Sequence, residues 1–161
     1  MRREPSLVND DHHIKSELEL LSKHISSDLA AIALIDQDNR IRWRYMYGNM
    51  NDRYRHMVMK PGFGLAGQVF RFGRTVIVDP MHVYTEKIRD QLPIMLSEQL
   101  LVAFAVPLNL DQRIIGVLLV GDRQEKSYNI EEVRHVEQIS KQIMSALPTE
   151  YSHTLSNGIL D

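Results

Sequence analysis

The sequence predicts an α+β fold: a central antiparallel sheet with the terminal helices on one face and loops and short helices on the other. Two pairs of apolar runs are each joined by a short polar turn, as expected for β-hairpins. The runs lie at residues 31–35 and 41–48, and at 100–108 and 114–121. Amphipathic helical patterns stand near both ends of the chain, which places two helices together on one face of the sheet.

The first element is a helix predicted over residues 11–28. Its apolar residues recur at spacings of three and four, which puts them on a single stripe. Asp10 or Asp11 is expected to cap the start of this helix. The stripe consists of Ile14, Leu18, Leu21, Ile25 and Leu29.

The returning strand of the first hairpin shows the alternation of a strand with one wet side. Ile41, Trp43 and Tyr45 are expected on the covered face. Trp43 is the only tryptophan, and it is either plain core or the wall of a small pocket. The opposite face is a basic ridge that is either solvated or in contact with an acidic partner. This ridge consists of Arg40, Arg42 and Arg44.

The middle of the chain is less regular. Residues 49–59 are predicted as a loop or short helix, and 61–64 as a turn. A helix from Leu65 to Phe72 is expected to end at Gly73, because glycine commonly terminates helices. A short strand at 75–78 follows, and then a mostly polar connection over 81–99 with a helix near 85–91.

The last helix has clear boundaries. Asn129 followed by Glu132 forms a capping-box pattern, and Pro148 ends the helix. Its apolar residues again follow helical spacing, and we expect them to pack beside the stripe of the first helix. They are Ile130, Val133, Val136, Ile139, Ile143 and Leu147.

Composition excludes several functional classes. The 161 residues contain no cysteine, which excludes disulfides, cysteine-ligated metals and thiol catalysis. The 19 basic and 21 acidic residues give a formal charge of −2, so no field for nucleic acid is expected. No apolar run suits a signal peptide or a membrane span, which predicts a cytoplasmic protein. The seven histidines show no ligand spacing, and hydrolase and phosphoryl-transfer motifs are missing, so we expect no metal, no cofactor and no enzyme.

Residues 62–67 match the pattern G-x-G-x-x-G, with Asp79 at a suitable distance beyond it. A dinucleotide site would require a buried strand before the motif and a parallel sheet around it, and the charged segment 54–60 is a poor buried strand. The helix starting at Leu65 has no Ser, Thr, Asp or Asn before it, so its free N–H groups are a potential anion site. Alternatively, water or a carbonyl satisfies those amides and the glycines serve only the turn.

Residues 61–80, Pro-Gly-Phe-Gly-Leu-Ala-Gly-Gln-Val-Phe-Arg-Phe-Gly-Arg-Thr-Val-Ile-Val-Asp-Pro, resemble the central stretch of GAF domains. Val-Pro-Leu at 106–108 and Ile-Gly-Val-Leu-Leu-Val-Gly-Asp at 115–122 extend the resemblance. It implies a GAF sensor domain over 12–148, between an N-terminal segment 1–11 and a flexible tail 149–161. GAF domains are small-molecule sensors, so a ligand cavity between the sheet and the glycine turn is implied. Cysteine-dependent subfamilies do not fit, and the signature of the cyclic-nucleotide binders is missing.

Within this family the sequence resembles single-domain nitrate receptors. That resemblance implies nitrate held by the backbone amides of Leu65 and Ala66 beside Trp43, with a second contact at Ile94 or Met95. It also implies action on a sensor histidine kinase of a two-component system that controls nitrate respiration. Separately, any apolar area left exposed by the paired terminal helices predicts a weak homodimer or a helix-mediated partner contact. The alternatives are a GAF module that senses another small molecule or only dimerises, and an enzyme that binds a nucleotide at 62–67.

Overall fold

A computed structural model describes residues 3–82 and 89–147 of the chain, with side chains from residue 11 onward. The helices are α1 (Arg3–His24), α2 (Gly64–Phe72), α3 (Pro93–Ser97), α4 (Ile130–Ala146) and a 3₁₀ helix (Arg53–His56). The strands are β1 (Leu29–Ile35), β2 (Ile41–Tyr47), β3 (Val58–Met59), β4 (Val76–Val78), β5 (Val102–Leu110) and β6 (Arg113–Asp122).

The strands form one six-stranded sheet in the order β3-β2-β1-β6-β5-β4, and every neighbouring pair is antiparallel. Each face carries its own apolar core. The helix-side core lies under α1 and α4 and includes Ile14, Leu18, Leu21, Phe104, Val106, Leu118, Val133, Val136 and Ile143. The loop-side core lies under α2, α3 and the 3₁₀ helix and includes Leu29, Trp43, Met46, Tyr54, Met59, Leu65, Ala66, Val69, Ile94 and Met95. The α+β prediction, with terminal helices on one face, is confirmed.

The first helix is longer at its start than predicted. It begins at Arg3, so Asp10 and Asp11 lie inside it and do not cap it. The segment 3–11 contains no glycine, and its one proline, Pro5, stands in the first turn, where helices tolerate proline.

The same helix ends earlier than predicted, at His24. Ser26 has a φ of 55°, and the hydroxyl of Ser22 donates to the carbonyl of Ser27 at 2.6 Å, which closes the helix end. Leu29 is therefore the first residue of β1 and belongs to the loop-side core, not to the helical stripe.

A β-bulge changes the faces of β2. Trp43 and Tyr45 flank the extra residue Arg44 and pair with the adjacent β1 residues Ala33 and Ile32. The period-two alternation breaks at this point, so Tyr45 joins the helix-side core while Trp43 stays in the loop-side core. The expectation that the two rings share one face is wrong.

The connections also differ in detail. Residues 49–59 contain the 3₁₀ helix and the short strand β3, and α3 was not expected in the stretch 81–99. Pro93 occupies the start of α3, where the missing N–H of proline costs nothing. The helix predicted near 85–91 falls mostly on residues outside the described ranges, as does the expected tail from residue 149.

The terminal helices pair as predicted. The rings of His24 on α1 and His135 on α4 stack with centroids 4.7 Å apart. Ile130 departs from the predicted stripe: it is the first residue of α4 and is 60% exposed, one turn before the first buried position, Val133. No helix in the described part of the chain combines the length and apolar character needed to cross a membrane.

Candidate functional site

The start of α2 lies on the face of the sheet that carries the loop-side core, here called the loop-covered face. Among the described residues, no side chain caps this helix. The preceding turn is closed by two bonds, from the Gly62 N–H to the Gly67 carbonyl at 2.7 Å and from the Phe63 N–H to the Lys60 carbonyl at 3.0 Å. The N–H groups of residues 64–66 find no acceptor within 3–82 and 89–147. Together with the positive end of the helix dipole, they form a potential anion-binding position.

Glycine is required at all three motif positions of this turn. Gly62 and Gly64 have φ values of 96° and 71°, in the left-handed region that other residues rarely adopt. A Cβ at Gly67 would collide with the Lys60 carbonyl oxygen, so only glycine lets the helix approach the turn this closely. These glycines explain the G-x-G-x-x-G spacing by backbone geometry alone.

Trp43 provides a second unpaired donor on the same face. Its side chain is 3% exposed, and its indole Nε1–H has no hydrogen-bond partner among the described residues. A buried indole N–H normally finds a partner, because an unmade bond carries the desolvation penalty of the group. An acceptor brought by a ligand would remove that penalty.

All five residues expected at the nitrate site lie in one buried cluster, the loop-side core. None of them is more than 3% exposed. They are Trp43, Leu65, Ala66, Ile94 and Met95. Several neighbours in this cluster carried no site signal in the sequence beyond being apolar. These are Met46, Tyr54, Met59, Val69 and Leu92.

Backbone hydrogen bonding distinguishes Ile94 from Met95, the two residues considered for the second nitrate contact. The Met95 N–H already donates to the Leu92 carbonyl at 2.9 Å, so it is not a free donor. The Ile94 N–H has no acceptor among the described residues. Ile94 therefore offers the unpaired backbone donor, and Met95 offers only its buried side chain.

A family model for the GAF domain matches residues 16–147. The chain belongs to the GAF domain family. Among curated proteins, no sequence matches this one.

Solved structures from Staphylococcus aureus are similar to this GAF domain. One, described as NreA mutated in its nitrate binding site, is 30% identical with a TM-score of 0.68, over 76% of this chain and 91% of that one. A hypothetical protein is 31% identical with a TM-score of 0.64, over 71% of this chain and 96% of that one. The GAF domain of an Acinetobacter phosphoenolpyruvate-protein phosphotransferase, at 16% identity and a TM-score of 0.72, covers 97% of this chain and 94% of its own, and shows the fold alone.

The dinucleotide alternative does not fit this GAF domain. Every strand pair in the sheet is antiparallel, whereas that motif belongs to a parallel sheet. Asp79 is fully buried and already occupied: it accepts from the N–H groups of Tyr128 at 2.8 Å and Met81 at 2.9 Å, and lies 2.7 Å from His82 Nδ1. Burial raises the pKa of Asp79, but these hydrogen bonds outweigh it and hold the pKa below its usual value.

Two further features were not visible in the sequence. Glu98 is a fully buried carboxylate that pairs with Arg123 at 2.9 Å, 25 residues away in the chain. The charge of the predicted basic ridge is partly neutralised, because the Arg42 guanidinium lies 3.6 Å from the Asp36 carboxylate. Within 3–82 and 89–147 no group of three or more His, Asp or Glu side chains is arranged to hold a metal ion.

Proposed function

We propose that this GAF domain is a nitrate receptor, with nitrate held in the loop-side core between the start of α2 and the indole of Trp43. One observation carries the proposal: the buried Trp43 Nε1–H has no acceptor among the described residues, and it lies in the core that also contains the start of α2. The similarity to NreA, whose nitrate binding site is named in that structure's description, supports the choice of anion.

Nitrate matches this set of donors. It is planar, singly charged and weakly basic, so it needs N–H donors more than a guanidinium clamp. We assign four donors: the N–H groups of Leu65, Ala66 and Ile94 and the indole N–H of Trp43. Each hydrogen bond to a charged group contributes about 1.5–3 kcal/mol. The apolar wall disfavours more strongly hydrated anions, because their dehydration costs more.

The proposed output is regulation by a partner, without catalysis. Nitrate must favour one of two conformations or assemblies, since a ligand with equal affinity for both produces no signal. On the nitrate-receptor resemblance, the partner is a cytoplasmic sensor histidine kinase of a two-component system for nitrate respiration. The nitrate-free GAF domain restrains the kinase, and the bound form releases it.

The terminal helices are the proposed contact surface for the kinase or for a second copy of the chain. Leu20 on α1 is 62% exposed and Ile130 on α4 is 60% exposed, and large apolar side chains on a helical surface favour association. Sedimentation with and without nitrate, on wild type and on Leu20→Ser/Ile130→Ser, tests this assignment. A strict monomer, together with kinase binding unaffected by the double change, would refute it.

The site itself is tested by calorimetric titration with potassium nitrate, with potassium chloride, sulfate and formate as comparison anions. Emission from Trp43, the only tryptophan, provides an independent readout. We expect one nitrate per chain, a change in Trp43 emission, and no saturable binding of sulfate. No nitrate binding by a folded protein, or equal binding of all four anions, would refute the proposed function. Saturation by a different small molecule would favour another GAF ligand.

A further inference from the structure

Arg123, the residue after β6, joins three separate parts of the chain. Its Nη2 donates to the Gly48 carbonyl at 3.0 Å and to the Glu98 carboxylate at 2.9 Å. Its Nε donates to the Glu98 backbone carbonyl at 2.8 Å, and its own N–H donates to Asp28 Oδ2 at 2.7 Å. One guanidinium therefore connects the end of β2, the end of α3 and the end of β6.

Glu98 directly follows α3 and lies four positions after Ile94. Its Oε1 also accepts from the Met50 N–H at 2.7 Å, and the Asn51 side chain donates to the Ser97 carbonyl at 2.7 Å. The C-terminal end of α3 is thus held by hydrogen bonds to the segment after β2 as well as to Arg123.

Packing around this end of α3 is incomplete on one side. A solvent-open pocket of about 360 Å³ lies beside it, lined in part by Met95, Leu100 and Arg123. The Glu98 carboxylate is fully buried, and its Oε2 has no partner within the described residues. A buried carboxylate is strongly unfavourable without a compensating cation, and Arg123 is the cation that pairs with Glu98.

We propose that Arg123 is a positioning residue for the nitrate site, acting through Glu98 to hold Ile94 and Met95 opposite the start of α2. This inference rests on the proposed function. Ligand donors displaced by even a fraction of an ångström make weaker hydrogen bonds, so loosening α3 lowers affinity without removing any group that touches nitrate.

The fork of the guanidinium makes the proposal specific. Arginine supplies two bonds to Glu98 and one to Gly48 at once, whereas the single ammonium of lysine is a point charge. Arg123→Lys therefore keeps the charge but loses most of the geometry. Glu98→Gln does the reverse, because the amide oxygen still accepts from Arg123 and Met50.

The test uses calorimetric nitrate titration and native-state hydrogen exchange on the full chain. Arg123→Met alone leaves a buried unpaired carboxylate. The main variant is therefore Glu98→Gln/Arg123→Met, which removes the Arg123–Glu98 ion pair and the buried negative charge together. Arg123→Lys and Glu98→Gln are the graded variants. Arg113→Met is the matched control, since Arg113 is an exposed cation at the other end of β6.

We expect nitrate affinity to fall about tenfold in the double variant, a typical effect for residues that couple to a site without touching it. Arg123→Lys should lie between the double variant and wild type, while Glu98→Gln and Arg113→Met stay near wild type. The N–H of Leu100, which donates to the Met95 carbonyl at 2.8 Å, should exchange faster, while the β1 amides keep their protection.

Two results would overturn the proposal. One is wild-type nitrate affinity in the folded double variant. The other is exchange that accelerates equally across the whole sheet, since a merely structural ion pair lowers global stability without a local effect. If wild type binds no nitrate, the proposed function fails, and exchange at Leu100 still decides whether Arg123 holds α3.

Discussion

The two faces of the sheet differ in how completely their polar groups are satisfied. On the helix-covered face, α4 begins with a full capping box: Asn129 accepts from the Glu132 N–H at 2.8 Å, and the Glu132 carboxylate accepts from the Asn129 N–H at 3.0 Å. On the loop-covered face, α2 begins with no side-chain cap. Two buried side-chain atoms lack a partner among the described residues, Trp43 Nε1 and Glu98 Oε2, and both belong to elements of the loop-covered face.

This difference predicts separate effects of substitutions on the two faces. Buried polar groups that are hydrogen-bonded avoid the desolvation penalty. Buried donors without an acceptor lower the stability of the fold until a ligand accepts from them. If nitrate is that acceptor, changes on the helix-covered face should alter stability and leave affinity unchanged. Changes on the loop-covered face should do the opposite.

The largest expected effect is on the helix-covered face. Phe104 is fully buried in the helix-side core, and its ring lies edge-to-face with Tyr128, centroids 4.7 Å apart. Phe104→Ala should lower the free energy of unfolding by about 3–5 kcal/mol, measured by urea denaturation. Nitrate affinity should stay at the wild-type value at any temperature where the variant is folded. A loss of affinity in folded protein would show that the two faces are not independent.

The next largest effect is expected on nitrate affinity, from a substitution at the start of α2. Ala66→Pro deletes one N–H in the first turn of α2, where proline is sterically tolerated. Losing one donor to a bound anion should cost about 1.5–3 kcal/mol, more than tenfold in nitrate affinity. The controls are Arg71→Ala, whose side chain lies against Gly62, and Arg74→Ala beyond the helix end. If either arginine variant loses nitrate while Ala66→Pro keeps it, side-chain charge holds the anion.

Trp43→Phe isolates the indole donor. Phenylalanine fills most of the same volume but has no N–H. Removing an N–H that has no partner within the described residues relieves its desolvation penalty, while the smaller ring loses some packing, so the stability of the nitrate-free protein should change little. Nitrate affinity should fall about tenfold, or 1.4 kcal/mol. Titration calorimetry is needed, since the variant has no tryptophan to report binding. Unchanged affinity would return Trp43 to the role of plain core.

Local patterns in the sequence predicted much of this fold and little of its long-range polar chemistry. The hairpins and the Asn129–Glu132 capping box depend on residues close in the chain, and all of them are present in the structure. Trp43 and Ala66, which the nitrate-receptor resemblance places at one ligand site, lie in one core. The face of Tyr45 was missed, because a bulge of one residue leaves no mark in an alternating pattern.

The Glu98–Arg123 pair could not be predicted from local sequence patterns either. Its residues are 25 positions apart, and ordinary charged residues in a sequence carry no sign of burial. The unpaired state of the Trp43 N–H is likewise a property of its surroundings. Sequence predicts that Trp43 is buried, and only the structure shows what its nitrogen lacks.

A smaller effect is expected at the start of α4, where the capping box pairs the backbone donors. Asn129→Ala removes the side chain that accepts from the Glu132 N–H, which should lower the free energy of unfolding by about 1 kcal/mol. Nitrate affinity should not change, in contrast to Ala66→Pro at the other helix start. Urea denaturation and titration of the same preparation provide both numbers. An Asn129→Ala variant as stable as wild type would show that the capping box contributes nothing here.

The smallest expected effect is a pH dependence with two opposite signs, from two carboxylates bound to Tyr128. Asp79 accepts from the Tyr128 N–H, and its pKa is lowered because hydrogen bonds outweigh the effect of burial. Asp122 accepts from the Tyr128 hydroxyl at 2.7 Å, and burial, the largest cause, raises its pKa. The ordinary value for both is 3.8. A lowered folded-state pKa adds stability above that value and loses it as the pH falls. A raised one adds stability below that value and loses it as the pH rises through the folded-state pKa.

The measurement is the free energy of unfolding of wild type, Asp79→Asn and Asp122→Asn between about pH 3 and pH 6, the window in which carboxylates titrate. The stability advantage of wild type over Asp79→Asn should grow as the pH rises, because the ionised Asp79 is the form the fold favours. The advantage over Asp122→Asn should shrink over the same range, because the fold favours the protonated Asp122. Each asparagine has only one accepting oxygen, but the lost acceptor costs the same at every pH, so the slopes with pH report the charge. Slopes of the same sign for the two variants would mean that burial, and not the hydrogen bonds from Tyr128, Met81 and His82, controls the ionisation of Asp79.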